Sequence, residues 1–148
     1  MFIIGADHRG MKLKHDILDY IMPENKNIKF NIGAIKNCKP LNDTKPIDYP
    51  DVAKDLCQHF DKNDKGILIC GSGFGMATAA NRYKHIRATP CRTSKDVEMA
   101  RRHGDVNVLC LGADFTTKRR ALKMVKVFFE TKFEGGRHLR RIKKLCIG

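Results

Sequence analysis

Gly66-Ile67-Leu68-Ile69-Cys70-Gly71-Ser72-Gly73-Phe74-Gly75-Met76 is the stretch on which the fold turns. An unbroken apolar run ends in a cysteine, then turns through three glycines into a helix that starts near Gly73. Such a run suits a strand buried on both faces, as parallel strands are. Glycine frees the backbone at the turn, so successive N–H groups converge on a point where an oxyanion can sit. The positive end of the helix dipole favours thiolate over thiol at Cys70. A thiolate beside an oxyanion hole is a nucleophile or a base. The plainer alternative is a small hydrophobe at a strand end, with glycines that serve only the turn.

The same strand-then-helix alternation extends in both directions. Phe2 to Ala6 reads as a strand and Arg9 to Met22 as a helix, with Met11, Leu13, Ile17, Leu18 and Ile21 on its inner side. Ile28 to Ile32 alternates like a strand near a sheet edge. An irregular loop is expected from Gly33 to Tyr49, and Pro50 opens a helix to about Asp61. After Cys70 a helix runs to about Tyr83. Ile86 to Thr89 reads as a fourth strand, Thr93 to about His103 as a helix, and Asn107 to Gly112 as a fifth strand. A long helix from Thr116 to about Lys132 follows, then the Glu134-Gly135-Gly136 break and a short basic tail helix.

This pattern predicts one α/β domain over 1–148: a doubly wound, Rossmann-like, five-stranded parallel sheet with helices on both faces and a C-terminal tail helix. Ligands of such folds bind outside the carboxyl ends of the strands. The polar residues there are Asp7 and His8, Cys70 to Gly75, Arg92 and Asp114. The glycines do not spell a dinucleotide fingerprint. They read G-x-G-x-G after the third strand, and nothing acidic ends the fourth.

Composition narrows the function. The 148 residues carry 29 basic and 16 acidic side chains, a formal charge of +13, which suits anionic ligands. Aromatic residues do not interleave with the late basic clusters, so nucleic acid is disfavoured as a partner. The six cysteines, at 38, 57, 70, 91, 110 and 146, contain no C-x-x-C pair, and no metal site is expected. Free thiols, no signal peptide and no membrane-length apolar run point to the cytoplasm.

Taken together, several stretches resemble the family of ribose-5-phosphate isomerase type B and the related galactose-6-phosphate isomerase subunits. They are Gly5-Ala6-Asp7-His8-Arg9-Gly10, Asp48-Tyr49-Pro50-Asp51, Ile67 to Gly73, Ala79-Ala80-Asn81-Arg82 and Ile86-Arg87-Ala88. Ala100-Arg101-Arg102-His103, Asn107-Val108-Leu109 and Phe133-Glu134-Gly135-Gly136-Arg137-His138 complete the set, in the family's order.

The resemblance implies cofactor-free interconversion of ribose 5-phosphate and ribulose 5-phosphate through a cis-enediol, in the pentose phosphate pathway. It implies Cys70 as the base and His103 as the ring-opening residue, with Asp7 close to the sugar hydroxyls. The amides of Gly71, Ser72, Gly73, Phe74 and Gly75, with the Ser72 hydroxyl, would form the anion hole. His8, Arg137 and Arg141 match the phosphate-binding set; the two arginines, four apart, share a face of a helical tail. The family also implies a homodimer or tetramer in which His103 approaches Cys70 from the other chain.

Other readings stand beside these. Asp7 could cap the first helix, and His103 could serve the dipole at a helix C-terminus. His15, His59, His85 and His138 read as surface or structural, and Asn81 as a residue that helps fix the glycine loop. The substrate could be a six-carbon sugar phosphate, of allose or galactose, or the chain a non-catalytic binder of polyanions. The chain departs from the family at Gly104, where relatives commonly have Asn, and in Leu111-Gly112-Ala113-Asp114, where relatives commonly read Leu-Gly-x-Arg. Like charges ~4 Å apart repel by about 1 kcal/mol in water and about 4 at an effective dielectric near 20. Asp114 is therefore expected to turn away from a phosphate and cap the next helix. Arg140, Arg119 or Arg92, with Arg140 preferred, would supply the missing cation.

Overall fold

The structure, a computed structural model, describes residues 1–22, 35–37 and 46–145. Five strands, β1 (Phe2–Ala6), β2 (Ile35–Asn37), β3 (Lys65–Cys70), β4 (Ala88–Pro90) and β5 (Val108–Gly112), form one parallel sheet in the order β2-β1-β3-β5-β4. Between them run α1 (Met11–Ile21), α2 (Tyr49–Gln58), α3 (Phe74–Ala80) and α4 (Ser94–Gly104). Helices α5 (Lys118–Glu130) and α6 (Arg137–Ile142) follow β5.

Alternation along the strands divides the core in two, because successive side chains point to opposite faces. Ile4, Ala6, Ile67, Ile69, Leu109 and Leu111 pack with α1, α4 and α5. Ile3, Leu68, Cys70, Val108 and Cys110 pack with α2 and α3. Both faces are therefore apolar, which is why the strands read as unbroken runs rather than as alternating ones.

The second strand differs from expectation. Ile35–Asn37 pairs with Phe2–Ile4 inside the stretch read as irregular loop. A three-residue edge strand is too short to show a period of two, so backbone pairing alone defines it. The strand expected over Ile28–Ile32 lies outside the described residues. On the other edge β4 begins two residues late, because the Arg87 amide donates to the Asn107 side chain at 2.7 Å. Pro90, which has no N–H to give, is tolerated at this edge. Asn81 serves β4 rather than the glycine loop: its side-chain amide both donates to and accepts from the Ala88 backbone at 2.8 Å.

Helix α4 begins with a reciprocal capping box between Thr93 and Asp96. It ends at Asp105, a left-handed residue (φ 42°) whose carboxylate is held by Arg87 and Arg101. Thr117, not Asp114, caps α5 by accepting the Arg120 amide.

Candidate active site

The β3–α3 turn sets the chemistry at the carboxyl edge of the sheet. Gly73 takes φ 83°, a conformation that L side chains rarely adopt, and this sends the chain from β3 straight into α3. The turn aims the Gly73 amide at Cys70, donating to Sγ at 3.1 Å. Ser72 Oγ accepts the Phe74 amide at 3.3 Å and keeps its own proton to donate. Two of the five amides expected to form the anion hole thus already have partners. The turn is locked to its neighbour: the Ala113 amide donates to Cys70 O at 2.8 Å and the Asp114 amide to Gly71 O at 3.0 Å. Tyr49 lies over Gly75, leaving no room for a side chain there.

Asp7 and His8 stand at the same edge, after β1. The buried carboxylate of Asp7 accepts the Arg9 and Gly10 amides through Oδ1 and so braces the turn before α1, whose N-cap is Gly10 and which has no side-chain cap. A carboxylate has a second oxygen for a sugar hydroxyl. His8 is exposed, and its Nδ1 accepts the Ile47 amide at 3.4 Å. Asp114 is ion-paired with Arg9. Arg92 stacks between the exposed rings of Phe115 (4.3 Å) and Phe74 (5.3 Å).

The remaining expected site residues lie at the opposite edge. His103 ends α4, and Arg137 and Arg141 are exposed on α6. Helix α4 runs back against the sheet and ends four residues before Val108, which is in register with Gly66 at the amino end of β3. The four residues from Gly66 to Cys70 alone span about 13 Å at ~3.3 Å per residue. Within one chain, Cys70, Asp7 and His8 form one group, and His103, Arg137 and Arg141 another.

The second group contains residues the sequence reading passed over. His138 is buried and stacks on His103 with ring centroids 4.2 Å apart. Glu134 Oε2 lies 3.7 Å from His103 Nε2 and 3.5 Å from His138 Nε2. Arg102 donates to the other carboxylate oxygen at 2.6 Å and lowers the Glu134 carboxyl from its ordinary value. Burial, then the neighbouring His103 and Arg137, push the His138 imidazole below its ordinary value. The i,i+4 spacing of Glu134 and His138 was the available signal. The ligand atoms of His103, Glu134 and His138 lie within 4.8 Å of one another, close enough to gather on a metal ion. Arg102 binds the Oε1 oxygen, and Oε2 is the oxygen that faces the two rings.

The arrangement can hold an anion at one edge beside a sulfur, and present an imidazole and two guanidinium groups at the other. Among the other described cysteines, burial pushes Cys57 and Cys91 up to about 12 and Cys110 well above its ordinary value.

The chain belongs to the ribose/galactose isomerase family, whose model matches residues 2–145. It is 32% identical over 143 residues to the ribose-5-phosphate isomerase B of Escherichia coli, covering 95% of this chain and 91% of that one. The crystal structure of ribose-5-phosphate isomerase B from Mycoplasma genitalium with bound ribulose-5-phosphate superposes with a TM-score of 0.86. It is 36% identical and covers 98% of this chain and 93% of that one. The type B ribose 5-phosphate isomerase of Trypanosoma cruzi gives a TM-score of 0.88 at 30% identity, covering 98% and 95%.

Proposed function

We propose that this protein is an isomerase interconverting ribose 5-phosphate and ribulose 5-phosphate through a cis-enediol, as one cytoplasmic domain assembled into a homodimer or tetramer with shared sites. The observation that carries the reading is the Gly73 amide directed at Cys70 Sγ at the mouth of the glycine turn, in a chain of this family. Among the described residues no helix is long and apolar enough to cross a membrane.

The residues divide the work as follows. His103 of the partner subunit protonates the ring oxygen while the anomeric hydroxyl gives up its proton to water, the C1–ring oxygen bond breaks, and the C1 aldehyde forms. Cys70 takes the proton from C2, and the C–H electrons form the C1–C2 double bond. Negative charge gathers on O1, where loop amides and the Ser72 hydroxyl meet it. The proton on O2 passes to O1, Cys70 returns its proton to C1, C2 becomes the carbonyl carbon, and the ketose results with no net oxidation. Asp7 and His8 engage the sugar from the Cys70 edge. Arg137 and Arg141 close on the phosphate from the partner, and that remote binding positions the reacting carbons. The separation of the two groups to opposite edges of one chain supports a site built from two copies.

A direct assay tests the reading. The purified protein converts ribose 5-phosphate to ribulose 5-phosphate without added cofactor, and Cys70→Ala lowers kcat on the order of 10²–10⁴-fold. Parallel assays with allose and galactose 6-phosphates set the sugar length, because the family includes both ribose and galactose isomerases. Absence of turnover on ribose 5-phosphate alongside turnover of a six-carbon phosphate would move the assignment to that substrate. Absence on all three would overturn it.

A further inference from the structure

Arg9 follows Asp7 and His8 in the β1–α1 turn, and its guanidinium lies against the glycine turn. A Cβ built on Gly71 would come within 2.8 Å of Arg9 Cζ and Nη1, so glycine at this position is what admits the guanidinium. Asp114, from the turn after β5, accepts from Arg9 Nη2. The Asp114 amide in turn donates to Gly71 O at 3.0 Å, and Asp7 holds the Arg9 amide at 3.0 Å. Three turns at the carboxyl edge thus fix one cation beside the turn that carries Cys70.

Arg9 and Asp114 are 56% and 40% exposed, so the pair adds little to the stability of the fold. What it does is orient a planar fork of donors. A guanidinium carries five N–H donors, and among the described residues Asp114 is the one group that receives from it. The rest remain for an incoming anion, in the geometry that suits a phosphate. Asp114 also loses the isolated negative charge that would repel such a ligand. Arg140, the cation expected from sequence to fill this role, lies on α6 at the other edge of the sheet.

We propose that Arg9, held over Gly71 by Asp114, is a substrate-binding cation that takes the phosphate of the phosphorylated sugar, and that Asp114 is its positioning residue. The proposal rests on the isomerase reading above and names a residue that shapes its substrate site.

The test measures KM and kcat for ribose 5-phosphate, and the inhibition constant of inorganic phosphate, in Arg9→Gln, Arg9→Lys and Asp114→Asn proteins of unchanged melting temperature. Arg9→Gln raises KM and the phosphate inhibition constant in parallel by about tenfold, with kcat within about twofold. Arg9→Lys recovers part of the loss, because the charge stays and the fork is gone. Asp114→Asn raises KM less than Arg9→Gln does. Unchanged KM and inhibition constant in Arg9→Gln would overturn the proposal, and a lower KM in Asp114→Asn would overturn the positioning role. If the unaltered protein turns over no sugar phosphate, calorimetric titration with inorganic phosphate still decides. Weaker binding in Arg9→Gln supports the cation site, and equal binding refutes it.

Discussion

His103 and His138 lie face to face, ring centroids 4.2 Å apart and planes within 6° of parallel, with Glu134 reaching both. Two imidazolium rings so close would repel, and burial adds to the cost of charging His138. One carboxylate fixed by Arg102 therefore lies against both rings, of which His103 is the more exposed.

The sign of the pH effect follows from the lowered value of His138. Below about 6.5, an ordinary histidine in the unfolded chain takes a proton that folded His138 refuses. The unfolded state then binds more protons, so this group's contribution to stability is present above that pH and lost as pH falls through it. Burial is the largest cause of the shift; among the charged and titratable neighbours, His103, Arg137 and Arg141 add to it and Glu134 opposes it. Melting temperature should drop between pH 7 and 5, and His138→Gln should flatten the slope across that window. An equal slope in the variant would remove His138 as its source.

Glu134→Gln should lower kcat on the order of tenfold, part of the 10²–10⁴ a positioned acid supplies. It should also shift the acid limb of the pH–rate profile, because the carboxylate facing His103 is gone. A merely structural role would leave that limb in place.

Alkylation should distinguish Cys70 from the other described cysteines, though all four are buried. Burial keeps Cys57, Cys91 and Cys110 as neutral thiols at pH 7, whereas the thiolate is the reactive form. Cys70 sits at the sheet edge with an amide on its sulfur. Iodoacetamide followed by peptide mapping should modify Cys70 ahead of those three, with protection by ribose 5-phosphate. Equal labelling of all four would contradict the role given to Cys70.

Much of the fold was legible because both sheet faces are buried. The runs Phe2–Ala6, Lys65–Cys70 and Val108–Gly112 carry the apolar signal of central strands, and the helices between them show clear inner stripes. Edge strands β2 and β4 carry only three residues each and are defined by pairing, which leaves little trace in composition. The carboxyl-edge site was legible for the same reason the fold was, since polar residues just past apolar strands stand out. The contacts of Glu134 with Arg102 and His103 and the Arg9–Asp114 pair were not. Both join residues 30 or more positions apart, as with Arg102 and Glu134, and a sequence shows charges without showing which of them meet.

Gly112 shows how closely the two central turns are packed. A Cβ there would lie 2.5 Å from Ser72 O and 2.7 Å from its carbonyl carbon, backbone atoms that cannot rotate away. Gly112→Ala should destabilise the protein by about 1–3 kcal/mol in chemical denaturation. It should also cut kcat, because the glycine turn must shift to admit the methyl group. Wild-type stability and turnover in this variant would mean the turn is looser than its contacts indicate.

The shared site is the central claim, and subunit mixing tests it most directly. Cys70→Ala and His103→Ala proteins, each inactive alone, are combined under conditions that exchange subunits, and turnover of ribose 5-phosphate is followed. A mixed dimer holds one site with both Cys70 and His103 intact, so statistical exchange should restore about a quarter of wild-type activity. No recovery despite demonstrated exchange would mean that each chain builds its own site, contrary to the placement of the two residues at opposite edges of the sheet.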